Sequence, residues 1–213
     1  MKVIPVLNCP DIEGVRKKIE IAKTFLAEGD MLHLDVTDGS FAAHGTWGDP
    51  LAWVTLKSPF ALEVHLMVDQ PEQYVDDWLT AGARRLIVHA ETVRATSLHE
   101  IIVTARAHNA EVMLSSRPET DPEDIIPYAK HVHAFHVLAV QPGPAGQVYL
   151  SFIDDKIRFL REEFPNATIE VDGGMGPLTV WRVKELGADT VVSSSYIFNS
   201  ADPKKAYEEL SAI

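Results

Sequence analysis

Three stretches of the chain carry ionisable side chains at the two-residue spacing of a strand. In MLHLDVTDG, His33, Asp35 and Thr37 alternate with Leu32, Leu34 and Val36. In ALEVHLMV, Glu63, His65 and Met67 alternate with Leu62, Val64 and Leu66, and in TIEVDGG, Thr168, Glu170 and Asp172 alternate with Ile169 and Val171. Successive side chains of a strand point to opposite faces, so each stretch has one apolar and one polar face. Buried charge is costly unless it is paired or bound to a metal. Taken singly, each polar residue is most simply a core group satisfied by a neighbour. In register at the ends of three strands, His33, Asp35, His65 and Asp172 form a plausible site of two imidazoles and two carboxylates. Such a donor set suits Zn²⁺, Fe²⁺, Mn²⁺ or Co²⁺ better than Ca²⁺.

The elements that must position these residues alternate along the chain. Strands are expected at Val3 to Leu7, MLHLDVTDG, ALEVHLMV, RLIVHAE, EVMLSS, HAFHVLAV, TIEVDGG and DTVVSSS. Between them fall amphipathic stretches. One runs from about Asp11 with Val15, Ile19, Ala22 and Leu26 near helical spacing, and others lie at Leu51 to Leu56, Glu72 to Thr80, Ser97 to His108 and Asp124 to Ala129. Helices at Ile153 to Glu163, Leu178 to Leu186 and Pro203 to Leu210 complete the series. Alternation of this kind implies parallel strands joined by helical crossovers. Eight units suggest a single α/β domain over residues 1–213, a (β/α)8 TIM barrel. An open doubly wound sheet is the alternative. No linker or low-complexity run divides the chain.

Composition narrows the partners. The chain has 213 residues, 46% of them hydrophobic, and a formal net charge of −12. That balance excludes the basic face a nucleic-acid binder presents, so no nucleic acid is expected. Any anion site must be local and built from backbone N–H groups. The single cysteine, Cys9, has no partner within the chain, in keeping with a reducing compartment. No apolar run approaches a membrane span, so no membrane contact and a cytoplasmic location are expected.

A candidate phosphate end follows the last three strands. The loop QPGPAGQ (Gln141 to Gln147) holds Gly143 and Gly146, Asp172 precedes Gly173 and Gly174, and strand eight runs into Ser193, Ser194 and Ser195. Barrels commonly bind phosphate with these loops. Of the other histidines, His131, His133 and His136 read as local polar contacts, with His136 on the opposite face from the first two. His99 and His108 read as solvated. His89, beside Glu91, could stand behind the site, and His44 could touch a ligand from its loop.

Together these residues resemble the D-ribulose-5-phosphate 3-epimerase family. LHLDVTDGSF, VHLMVDQPEQYV, LAVQPGPAGQ, IEVDGGMGPLTV and VVSSSYIF occur in the family's order and at about its spacing, across nearly the whole chain. The resemblance implies a metal-dependent isomerase acting on a ketose phosphate in the pentose phosphate pathway, with one divalent ion and no organic cofactor. It implies metal ligands at His33, Asp35, His65 and Asp172, and catalytic carboxylates at Asp35 and Asp172. It also implies phosphate contacts at Gly146, Gly173, Gly174, Ser194 and Ser195, with Met67 and Gly143 beside the substrate. Epimerisation at C3 needs two acid/base groups, one on each side of the carbon, and a cation to stabilise the enediolate. Related barrels are usually homo-oligomers.

The chain departs from the family pattern at several places. Pro5 stands at a usual Ser, Thr37 and Leu138 at usual Met positions, and Ala145 and Ser194 at usual Gly positions. These changes leave open another ketose phosphate, such as allulose 6-phosphate, or a non-catalytic phosphosugar-binding barrel. An aldolase-like synthase or a decarboxylase would call for a Lys near the strand ends, and the inward faces above carry none.

Overall fold

In a computed structural model, residues 1–42 and 45–213 are described. His44, expected above the site, lies outside them. Eight parallel strands close into a barrel in chain order: β1 (Lys2–Leu7), β2 (Met31–Thr37), β3 (Ala61–Met67), β4 (Ala83–His89), β5 (Glu111–Ser116), β6 (Ala134–Leu138), β7 (Thr168–Asp172) and β8 (Thr190–Ser193). β8 pairs back onto β1 through Lys2↔Thr190 to Pro5↔Ser193, so the expected TIM barrel stands and the open sheet does not.

The helices are α1 (Ile12–Ala22), α2 (Pro50–Leu56), α3 (Val75–Thr80), α4 (Ala95–Ala107), α5 (Ile126–Ala129), α6 (Ile153–Glu163), α7 (Pro177–Glu185), α8 (Ser195–Phe198) and α9 (Pro203–Ser211). Several start where the sequence supplies a cap. Asp11 accepts from the Gly14 N–H at 2.8 Å, and Asp49, followed by Pro50, accepts from the Ala52 N–H at 3.0 Å. Two differences from expectation are local. The stretch read as one helix from Glu72 opens as a separate 3-10 turn at Pro71–Gln73, which Pro71 initiates. The serines read as the tail of strand eight turn after Ser193 into α8, a helix the apolar pattern does not announce.

The strand faces sort as their alternation requires. Leu32, Leu34 and Val36 pack with Leu62, Val64, Leu66 and the inner faces of the helices in one continuous core. The opposite faces fill the barrel. Its interior is apolar on the β8–β1 side, where Ile4, Val6 and Val192 cluster, and mostly polar across β2 to β7, with Ile87 and Met113 set among the polar groups. There His33, Asp35, Glu63, His65, Arg85, His89, Ser115, His136 and Glu170 are all buried. No helix among the described residues is long and apolar enough to cross a membrane.

Candidate metal and catalytic centre

β2 and β3 build the centre of the site. Their register sets His33 beside Glu63 and Asp35 beside His65. Asp35 Oδ1 lies 3.1 Å from His33 Nε2 and 3.1 Å from His65 Nδ1. The other oxygen, Oδ2, accepts from Asn8 Nδ2 at 2.8 Å. Asn8 follows β1 directly, and the fold brings it over the end of β2. The backbone beneath Asp35 is tied as well. Thr46 Oγ1 donates to the Asp35 carbonyl at 2.7 Å and accepts from the Thr37 N–H at 3.0 Å.

The far nitrogen of each imidazole is also held. His33 Nδ1 meets Glu63 Oε1 at 2.7 Å. His65 Nε2 lies 2.8 Å from His89 Nε2, and His89 Nδ1 faces Glu91 Oε2 at 3.4 Å. Glu91 is itself fixed by the Arg117 N–H at 2.8 Å and by the Thr120 hydroxyl. His89 thus stands behind His65, as its place beside Glu91 suggests.

β6 requires a correction. His136 is not a local polar contact but part of the centre. Its side chain is fully buried, and its ring stacks 5.8 Å from that of His33 and lies 4.4 Å from that of His65. Donor atoms of His33, His65, His136 and Asp172 all lie within 4.8 Å of one another. The sequence did hold the signal: β6 starts at Ala134, so His131 and His133 precede the strand, and His136 alone takes its inward phase. His99, His108 and His133 are exposed, and His131 is half-buried.

Deeper in the barrel lies an ionic layer. Arg85 Nη1 donates to Glu63 Oε2 at 2.6 Å and to Glu170 Oε2 at 3.4 Å, while its Nη2 reaches Glu111 at 3.0 Å. This layer anchors Glu63, and through it His33.

Above the centre opens a narrow cleft, partly continuous with solvent. Asp35, Met67, Asp172, Gly143, Gly146, Gly173, Gly174, Ser194 and Ser195 all line it; His33 and His65 sit beneath its floor. Asn8 and Leu138 are further wall residues. The loop after β6 is closed on itself by Gln147 Nε2, which donates to the carbonyls of Gln141 at 2.7 Å and Pro144 at 3.0 Å. Gly173 and Gly174 have φ of +106° and +69°, and a Cβ on Gly174 would fall 2.5 Å from the Tyr149 nitrogen. Ser194, by contrast, has φ of −106°, so a side chain costs nothing there. Its hydroxyl accepts from Lys18 Nζ at 3.0 Å. Lys18 reaches this end of the cleft from α1, not from a strand, which is why inspection of strand faces overlooks it.

The two carboxylates differ in proton affinity. Burial raises that of Asp35, but hydrogen bonds from His33 and His65 outweigh it and hold the carboxyl well below the usual range. Asp172 has no such donors. Burial and the nearby negative charge of Asp35 push it up to about 7. Burial opposes protonation of His33, yet its two carboxylate partners hold its affinity well above the histidine range. Burial pulls His65 down to about 4 and His136 well below the histidine range. The donors are imidazole nitrogens and carboxylate oxygens, and His136 Nε2 is buried without a hydrogen-bonding partner among the described residues. Such a set fits a transition-metal dication.

The sequence matches the Ribulose-phosphate 3 epimerase family over residues 3–198. It is 31% identical to the ribulose-phosphate 3-epimerase of Schizosaccharomyces pombe, with 98% of this chain and 92% of that protein covered. It is 35% identical to the enzyme of that name from Synechocystis sp., covering 96% and 90%. Among solved structures, the backbone is similar to a 3-hexulose-6-phosphate synthase from Salmonella typhimurium, with a TM-score of 0.75 over 100% of this chain and 97% of that one. At 18% identity, that likeness concerns the fold alone.

Proposed function

The chain belongs to the ribulose-phosphate 3-epimerase family, and from that premise we propose that it interconverts D-ribulose 5-phosphate and D-xylulose 5-phosphate by proton transfer at C3. The observation that carries this reading is the pair Asp35 and Asp172. Both line one cleft, from strands far apart around the barrel, and their environments drive their proton affinities in opposite directions. Paired groups of this kind mark an acid and a base.

In this reading Asp35, ionised, removes the C3 proton from one face of the substrate. Asp172, protonated, returns one from the other face. The reverse reaction exchanges their roles. Asn8 aims Asp35 through its 2.8 Å hydrogen bond. Asp172, its side chain 14% exposed, can regain a proton from solvent between turnovers. His33, Asp35, His65 and Asp172 would hold one divalent ion, Zn²⁺, Fe²⁺, Mn²⁺ or Co²⁺. When bound, the ion supplies Lewis-acid stabilisation of negative charge developing on substrate oxygens, a term of several kcal/mol. No organic cofactor is needed.

The phosphate is assigned to the end of the cleft formed by Gly146, Gly173, Gly174, Ser194 and Ser195, where tight glycine turns let the backbone approach it. Lys18 adds a positive charge at that end. Met67 and Gly143 border the carbon chain.

The test is to incubate metal-replete protein with D-ribulose 5-phosphate and follow D-xylulose 5-phosphate by NMR, with allulose 6-phosphate in parallel. Formation of the pentulose epimer supports the reading. Turnover of the hexulose phosphate alone would reassign the substrate, and turnover of neither would overturn the epimerase reading.

A further inference from the structure

His136 lies inside the centre but has none of the roles assigned above. One nitrogen, Nδ1, pairs with Ser115 Oγ at 2.9 Å. The other, Nε2, is buried and has no hydrogen-bonding partner among the described residues; Asp172 Oδ2 lies 3.8 Å away. A buried polar atom left unpaired costs about 1–3 kcal/mol. This one points at the same space as donor atoms of His33, His65 and Asp172, all mutually within 4.8 Å.

The three imidazoles share one arrangement. Each has one nitrogen directed to the centre and the other held from behind: His33 by Glu63, His65 by His89, and His136 by Ser115. A hydrogen bond at the rear nitrogen of a histidine fixes the ring and leaves the front nitrogen able to bind a metal. When Nδ1–H of His136 donates to the Ser115 hydroxyl, Nε2 carries the free lone pair.

We propose that His136 Nε2 is a third imidazole donor to the divalent ion held by His33, Asp35, His65 and Asp172. The proposal rests on the reading of this centre as a metal site. A third nitrogen makes the set richer in imidazole, which favours Zn²⁺ and Co²⁺ over Mn²⁺.

The experiment measures metal binding to the full chain, by chelator competition for Zn²⁺, Co²⁺ and Mn²⁺. Wild type, His136→Leu and the double variant Ser115→Ala/His136→Leu are compared, together with their metal-free melting temperatures. The double variant removes the hydroxyl that the single variant would leave unpaired. Metal-free stability should hold, because the group removed is unpaired on one side. Zn²⁺ and Co²⁺ should bind at least about tenfold more weakly, with a smaller loss for Mn²⁺. The NMR spectrum of the Co²⁺-loaded wild type needs no variant. It should show three hyperfine-shifted, solvent-exchangeable imidazole N–H protons.

Only two such protons, or unchanged Zn²⁺ and Co²⁺ affinity in the variants while His65→Ala abolishes binding, would overturn the role of His136 and leave the metal site standing. Failure of the wild type to bind any of the three ions would overturn the metal reading, and this proposal with it.

Discussion

Glu63 links His33 to Arg85. One carboxylate oxygen meets His33 Nδ1 at 2.7 Å, and the other accepts from Arg85 Nη1 at 2.6 Å. The site is thereby fixed to an ionic layer deeper in the barrel. Burial alone would raise the proton affinity of Glu63, but His33 and Arg85 draw it down to about 2. Glu63 is therefore an anion behind His33, orienting the ring and raising its basicity. Glu63→Gln keeps the shape and removes the charge. Metal affinity should fall about 10–100-fold, read by chelator competition. An unchanged affinity would mean that Glu63 serves only the fold.

A glycine at the phosphate end makes a second test. Gly174 has φ of +69°, and an added Cβ would lie 2.5 Å from the Tyr149 nitrogen and 2.9 Å from its Cα. Gly174→Ala should raise KM at least about tenfold and cost about 2 kcal/mol in denaturant unfolding, from left-handed strain plus a backbone clash. Ser194→Gly is the contrast. Its backbone is already relaxed, so what is lost is the hydroxyl's contact with Lys18 and its 3.3 Å hydrogen bond to the Val6 carbonyl, and stability should change by about 1 kcal/mol or less.

The acid limb of stability should depend on Glu91. Burial works against its charge, but His89, Thr120 and the Arg117 N–H bring its proton affinity from 4.5 down to about 2. A carboxylate whose folded value is depressed contributes stability that is fully present above pH 4.5 and is lost as pH falls toward 2. Discounted for its partial exposure to solvent, the contribution at neutral pH should be about 1–2 kcal/mol. Glu91→Gln should lower the urea midpoint at pH 7 and flatten its decline between pH 4.5 and 2. Parallel curves for the two proteins would remove Glu91 from that role.

Most of the barrel was legible because its signals are periodic. Alternation in MLHLDVTDG and ALEVHLMV placed Leu32, Leu34 and Val36 outward and His33, Asp35 and His65 inward, as the structure has them. The closing pair β1 and β8 cannot be read from local pattern, since their contacts join residues at opposite ends of the chain. Asn8 and Lys18 were missed for a related reason. Neither lies on an inward strand face, and each reaches the site from just beyond β1 or from α1. His136 is hard to phase from sequence because His131 and His133, themselves at strand spacing, precede it closely. The residues that depart from family expectation find ordinary places: Ser194 needs no positive φ, and Leu138 lines the cleft.

The central claim is that Asp35 and Asp172 move a proton on and off C3. Metal-replete protein would be incubated with D-ribulose 5-phosphate in D₂O, and deuterium at C3 followed by NMR alongside Asp35→Asn and Asp172→Asn. Deuterium should enter C3 as the epimer forms, and each variant should lose at least about 10²-fold in rate. Epimer formation without solvent deuterium at C3, or exchange at the wild-type rate in either variant, would contradict it.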